Sequence, residues 1–252
     1  MMNAYQNLAA SYDRLTNDVD YEGWVDFAQA IVEREGLHPR TVADLACGTG
    51  SATRILAKRG YQVTAVDLSE DMLTEAMDKC ADLPNLPVFA HQNLASLCLP
   101  RGVDMAVCFL DSLDYILDPH DCEAAIRRTY KALNPGGIFI FDVNTPEKLQ
   151  NMDGQVFLDE DDDVYCVWRG EFDSQTNICS YGMDLFQRQG DVWHRSFEEH
   201  QEYAYSIEQL KTYLKNAGFT HIKVWADRKF VAPREGEQRV WFQARKGVVR
   251  KK

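Results

Sequence analysis

The sequence predicts an α/β protein built on a doubly wound, mostly parallel sheet of seven strands, and three observations carry that prediction. Short apolar runs at 41–45, 61–67, 87–91, 104–109 and 138–144 alternate with amphipathic stretches of helical period, as in βαβ units whose crossover helices cover both faces of a sheet. The first run passes directly into Gly48-Thr49-Gly50 and a helix-like stretch from Ala52 to Arg59; a strand that enters a helix through a glycine turn brings bare backbone N–H groups close to a ligand. From about Gln155 to Tyr205 the periodicity changes to alternation rich in aromatics, the mark of antiparallel strands.

The 252 residues, 45% apolar and 26% charged, suit one large domain or one domain with an insertion. We expect a core of residues 1–150 and 205–252 carrying an N-terminal helical cap, and an antiparallel β insertion at 151–204 that serves as a lid or a homodimer face. No run approaches the roughly 18 apolar residues of a membrane span. Met1 to Arg14 is polar and aromatic, without the apolar segment of a secretion signal. Seven cysteines, an odd set with no C-x-x-C pair, argue against a disulfide framework and a zinc site and for a reducing cytoplasm. The net charge of −12 argues against a phosphate-gripping surface for DNA or RNA. The basic tail, Arg245 to Lys252, reads as a solvated end.

Taken in order, residues 3–35 read as helical: Tyr5, Leu8, Ala9, Tyr12 and Leu15 recur at helical spacing, and Trp24, Phe27, Ala28, Ile31 and Val32 form a second stripe ending near Gly36. Strand 1 is Thr41–Leu45, strand 2 Tyr61–Asp67, and Ser69 with Met72 forms the N-cap pair of the next helix. Strand 3 is Pro87–His91 and strand 4 Asp104–Phe109. A helix from about His120 to Leu133 ends at Asn134-Pro-Gly-Gly137, before strand 5, Ile138–Asn144. The insertion's breaks at 173–177 and 188–191 read as hairpin turns. Ser206-Ile-Glu-Gln209 is a capping box, Gly218 a helix stop, and His221–Ala226 and Arg239–Ala244 the last strands. The acidic run at 159–163 lacks the spacing of a calcium loop and reads as solvated.

Chemistry concentrates around the glycine turn. The dinucleotide fingerprint needs a third glycine where this chain has Thr53, and Asp44 precedes the glycines, where a pyrophosphate would be repelled and a cation welcomed. Asp67 ends strand 2, where a carboxylate accepts hydrogen bonds from both ribose hydroxyls of an adenosine; its alternative is a helix-capping acid. Ligands of open α/β sheets bind outside the carboxyl ends of the strands, which brings Asp111, Asp114 and Tyr115 after strand 4, and Asn144 and Thr145 after strand 5, to the same edge. Plain capping and turn chemistry are the competing reading. His194 and His200 are candidate bases within the insertion.

The string Val42-Ala43-Asp44-Leu45-Ala46-Cys47-Gly48-Thr49-Gly50 resembles motif I of the class I S-adenosylmethionine (SAM) methyltransferases. Leu133-Asn-Pro-Gly-Gly137 matches the same family, and Ala10–Leu15 with Tyr21–Trp24 resembles the cap of its small-molecule members. The resemblance covers roughly residues 5–246 and implies a Rossmann-like fold with SAM as methyl donor, S-adenosylhomocysteine as product and a small-molecule acceptor methylated on O, N or C by in-line displacement. It implies cofactor contacts by Tyr12, Trp24, Asp44, Ala46, Cys47, Gly48, Gly50 and Asp67, with Leu68 and Met72 flanking the adenine, and Phe109 and Leu110 at the SAM amino group. Asn93-Leu94 stands where the family usually has an Asp that reads the adenine amino group. Asp111, Tyr115 and Asn144 are the catalytic candidates, and no metal is needed. An NAD-dependent oxidoreductase and a SAM-binding regulatory or scaffold protein without turnover stay open as alternatives.

Overall fold

The computed structural model describes residues 19–160 and 162–248. Tyr12 and the first half of the predicted cap lie outside these residues. The second half is helix α1, Tyr21–Arg34, which buries Trp24, Val25, Phe27, Ala28, Ile31 and Val32 on one stripe and is capped by Asp20. Then follow β1 (Thr41–Leu45), α2 (Ser51–Lys58), β2 (Gln62–Asp67), α3 (Glu70–Cys80), β3 (Val88–His91), a 3-10 turn at Leu94–Ser96, and β4 (Val103–Cys108). After these come α4 (Pro119–Ala132), β5 (Leu133–Asn144), α5 (Pro146–Gln150), β6 (Val156–Glu160), β7 (Val164–Asp173), β8 (Ile178–Gln189), β9 (Val192–Tyr203), α6 (Ile207–Ala217), β10 (Phe219–Ala226) and β11 (Arg239–Lys246).

A seven-stranded sheet runs in the order β10-β11-β5-β4-β1-β2-β3. β1 pairs parallel with both β2 and β4, and β4 with β5, while β11 runs antiparallel to both of its neighbours. The last strand, β11, is therefore wedged between β5 and β10. Its Val240, Trp241, Phe242 and Ala244 are fully buried, which an edge strand would not be. β5 starts earlier than predicted, because Leu133 already pairs with Val103 and a register shift precedes the Ile138–Met105 pair. Helices α1, α2 and α3 cover one flank and α4 and α6 the other, giving the large aromatic and aliphatic core.

Local chemistry sets the element ends. Ser69 Oγ accepts from Met72 N at 3.2 Å, and Ser206 Oγ from Gln209 N at 3.2 Å. The second arm of that capping box is missing, since the Gln209 amide binds the Tyr213 hydroxyl at 2.8 Å. The insertion is a separate four-stranded antiparallel sheet, β6-β7-β8-β9, folded through hairpins at Asp173/Ile178 and Gln189/Val192. Strand β9 docks on the core: Tyr203 N donates to Asp114 O at 2.7 Å. Among the described residues no helix is long and apolar enough to cross a membrane, and no group of three or more His, Cys, Asp or Glu is arranged to hold a metal.

Candidate active site at the carboxyl edge of the sheet

The turn after β1 adopts left-handed backbone at Ala46 (φ 56°), Gly48 (φ 54°) and Gly50 (φ 78°). A Cβ on Gly48 would meet nothing within 4 Å, so the turn opens onto free space there; one on Gly50 would lie 2.8 Å from Ala76 Cβ on α3. The first glycine leaves room for a ligand and the second lets α2 pack against α3. Asp67 stands across the turn. Its Oδ2 accepts from Gly48 N at 2.8 Å and its Oδ1 from Ser69 N at 2.9 Å, leaving a lone pair on each oxygen for a pair of hydroxyls. Burial raises its pKa, and these backbone donors oppose the rise.

Asp44 does not face the loop as a free charge for a cationic ligand. It is 2% exposed, and its carboxyl binds the Thr53 hydroxyl at 2.5 Å. Burial pushes its pKa up to about 7, opposed by that hydrogen bond. Thr53, which broke the dinucleotide fingerprint, is thus the partner of the acid that precedes the glycines. Cys47 is half-buried, and burial, with Asp44 and Asp67 nearby, raises its thiol well above the ordinary range. Leu68 is exposed beside Asp67, whereas Met72 is buried in the core of α3, so only Leu68 can flank a ligand with its whole side chain. Asn93 is exposed and Leu94 half-buried next to it. Asn93 Oδ1 accepts from Ala95 N at 2.8 Å, with one lone pair remaining.

The turn after β4 is held differently. Leu110 and Asp111 are consecutive non-glycine residues with φ 55° and 50°, a costly backbone that persists only where the surroundings enforce it. The buried Asp142 of β5 enforces it, accepting from Leu110 N at 2.9 Å and from Asp111 N at 3.1 Å. Trp24, 8% exposed, donates from its indole to the same carboxylate at 3.2 Å. Arg239, at the start of β11, pairs with Asp142 and, at 2.6 Å, with Asp111. Phe109 is buried against Trp241.

Beside this turn, β5 and β9 bring further acids together. Asn144 donates from its backbone to Asp114 Oδ2 and from its side chain to Glu202 Oε2, both at 2.8 Å, and accepts from Lys148 Nζ at 2.7 Å. Asn144 is thus a clamp between two carboxyls. Asp114 is fully buried, and its Oδ1 has no hydrogen-bond partner. Burial, then the nearby Glu202 and Asp111, raise its pKa well above normal. Burial and Asp111 push Glu202 up to about 8, opposed by Asn144, Lys148 and Arg239. Tyr115 sets its ring edge-on to the buried His200, 6.1 Å away between centroids. His200 lies 3.4 Å from Glu198. His194 is exposed near the hairpin end of β9, far from this cluster in its strand. Thr145 serves as the N-cap of α5, accepting from Lys148 N.

Sequence reasoning missed Asp142, Glu202 and Arg239. The available signals were an acid inside the buried run Ile138–Val143 and the alternation of Glu198, His200 and Glu202 on the inward face of β9.

The comparisons with known proteins agree with this geometry. Residues 42–137 match the model of a methyltransferase domain. A protein of Geobacillus sp. strain WCH70 named as a methyltransferase is 32% identical over 245 residues, covering 96% of this chain and 99% of its own length. One from Bacillus subtilis strain 168, also named so, is 30% identical, covering 96% of this chain and 97% of its own. The chain belongs to the class I SAM-dependent methyltransferases. The crystal structure of a SAM-dependent methyltransferase from Clostridium acetobutylicum superposes with a TM-score of 0.88 at 32% identity, covering 96% of this chain and 99% of that one. The oxidoreductase and the scaffold without turnover are thereby set aside.

Proposed function

We propose that this methyltransferase modifies a small-molecule acceptor at an oxygen or nitrogen that carries a proton, bound where the β4 turn and β5 meet strand β9. The observation that carries this reading is the pair of buried carboxyls at that junction, Asp114 and Glu202, with the half-buried Asp111 beside them; Glu202 is pushed up to about 8. A carboxylate of that basicity is matched to taking a proton from a hydroxyl or an ammonium near neutral pH. Asp111 is engaged by Arg239, and Asn144 holds Glu202 and Asp114 in place. Tyr115 and His200 supply the aromatic wall.

The free space over Gly48 and the doubly donated Asp67 fit an adenosine, with Leu68 exposed alongside for the base. When bound, SAM supplies a methyl group on a sulfonium, already activated, and leaves as S-adenosylhomocysteine. The chain's own work is alignment, exclusion of water and removal of the acceptor's proton. In this reading the insertion is a lid whose strand β9 brings the proton acceptor to the edge of the sheet.

Calorimetric titration with SAM, S-adenosylhomocysteine and NAD, followed by incubation with methyl-tritiated SAM and a whole-cell extract separated by size afterwards, tests the proposal. Binding of the two SAM-series ligands and label in a small molecule are expected. Label confined to macromolecules would overturn it.

A further inference from the structure

We infer that Asp142 and Arg239 are positioning residues for the methionine end of SAM, acting through the turn after β4. The inference rests on the reading that Phe109 and Leu110 face the SAM amino group. The structure contributes the rest.

Two consecutive left-handed residues without glycine, Leu110 and Asp111, are unfavourable on their own. Asp142 supplies what holds them there. Its Oδ1 accepts from Leu110 N and Trp24 Nε1, and its Oδ2 from Asp111 N and Arg239 Nη1. Four donors thus meet the four lone pairs of one carboxylate, which is 0% exposed. An amide at this position would turn an N–H toward one of those donors. Arg239 ties the arrangement from the far side: it bridges Asp142 and Asp111 and lies over the Trp24 ring, 5.6 Å from its centroid. Burial alone would lower the Arg239 pKa, but the two acids outweigh it and keep the guanidinium charged.

The consequence is chemical. With the N–H groups of Leu110 and Asp111 both committed to Asp142, these two residues have only their carbonyl oxygens to offer a ligand along the backbone, and the Leu110 carbonyl is the one not already accepting from Asp114 N. Carbonyls suit an ammonium donor and reject a carboxylate. The Asp142–Arg239 pair therefore selects the amino side of an amino-acid group, and it does so from α1, β4, β5 and β11 at once. An interaction so far from the adenosine contacts at Asp67 predicts a separable effect on the two ends of the cofactor.

The test uses S-adenosylhomocysteine and 5′-methylthioadenosine, which share the adenosine and the thioether sulfur and differ in the amino-acid end. Calorimetry on the wild type, Asp142→Asn and Arg239→Lys compares them, with thermal unfolding measured alongside. We expect Asp142→Asn to weaken S-adenosylhomocysteine about tenfold or more while methylthioadenosine changes by less than about twofold, and Arg239→Lys to act the same way at about threefold. Equal loss of both ligands, or loss of neither in folded variants, overturns the inference. Should Asp142→Asn fail to fold, the Arg239→Lys comparison decides alone. A wild type that binds methylthioadenosine as tightly as S-adenosylhomocysteine would instead remove the underlying placement of Phe109 and Leu110.

Discussion

Asp104 and Asp142 stand on neighbouring strands of one sheet, at opposite edges, and their surroundings treat their carboxyls in opposite ways. At the amino edge, Asp104 accepts from Arg40 N, Thr41 N, the Thr41 hydroxyl and the Asn134 amide at 2.8–3.1 Å. Burial alone would raise its pKa, but these donors outweigh it and the net shift is downward. At the carboxyl edge burial wins: Asp44, Asp67, Asp114, Asp142 and Glu202 are all raised. Asp142 meets four donors as well, so depth separates this pair: Asp142 is 0% exposed and Asp104 only half-buried. Acids gathered with fewer donors than they need, as at Asp114 and Glu202, store an electrostatic cost that a ligand or a proton can relieve.

The contrast can be broken from either edge. The largest effect is expected for Gly48→Val, which places a branched side chain in the open space of the β1 turn. SAM binding should fall below detection by calorimetry while circular dichroism stays native; normal binding would remove this turn from the site. Asp104→Ala leaves four donors without their acceptor and should lower the unfolding free energy by roughly 1–3 kcal/mol in urea titration, with SAM affinity unchanged. An effect on SAM without one on stability would abolish the distinction between the edges. Asp67→Ala should weaken SAM by on the order of 1–3 kcal/mol and, because it strands Gly48 N and Ser69 N, also lower stability; unchanged SAM affinity in the folded variant would remove Asp67 from the site.

The smallest effect is a slope. Glu202 is raised from 4.5 to about 8, so between those values the folded state holds a proton that the unfolded chain has lost. Its contribution to stability is full below about 4.5 and lost as pH rises toward about 8. Asp104, lowered, contributes above its ordinary value and loses that as pH falls. Urea unfolding across this range should show stability declining with pH in the wild type and a flatter profile in Glu202→Gln. Identical profiles would mean that Glu202 is ionised in the fold.

What was legible in the sequence follows the span of the interactions. The Ser69–Met72 and Ser206–Gln209 caps and the hairpin turns join residues three to five apart, where residue type and spacing suffice. The glycine turn and Asp67 were equally readable, because a nine-residue string and the end of the next strand define them. The acceptor side was not. Asp142 reaches Asp111 across 31 positions, Asn144 reaches Glu202 across 58, and Arg239 reaches Asp142 across 97. The position of β11 inside the sheet decides the last of these, and an apolar strand does not announce which neighbours it will have. Asn144, a candidate for chemistry by its place after β5, holds two carboxyls, and Asp44 accepts from the Thr53 hydroxyl; neither partner was visible in the sequence.

In our reading the acids gathered at the β4–β5–β9 junction serve methyl transfer, whereas Asp104 at the other edge does not. Transfer of tritiated methyl from SAM into a small-molecule extract, compared among the wild type, Glu202→Gln and Asp104→Asn at equal SAM occupancy, tests it directly. The expected rate is lower by about a hundredfold or more in Glu202→Gln and near wild type in Asp104→Asn. Unimpaired transfer by folded, SAM-bound Glu202→Gln would contradict it.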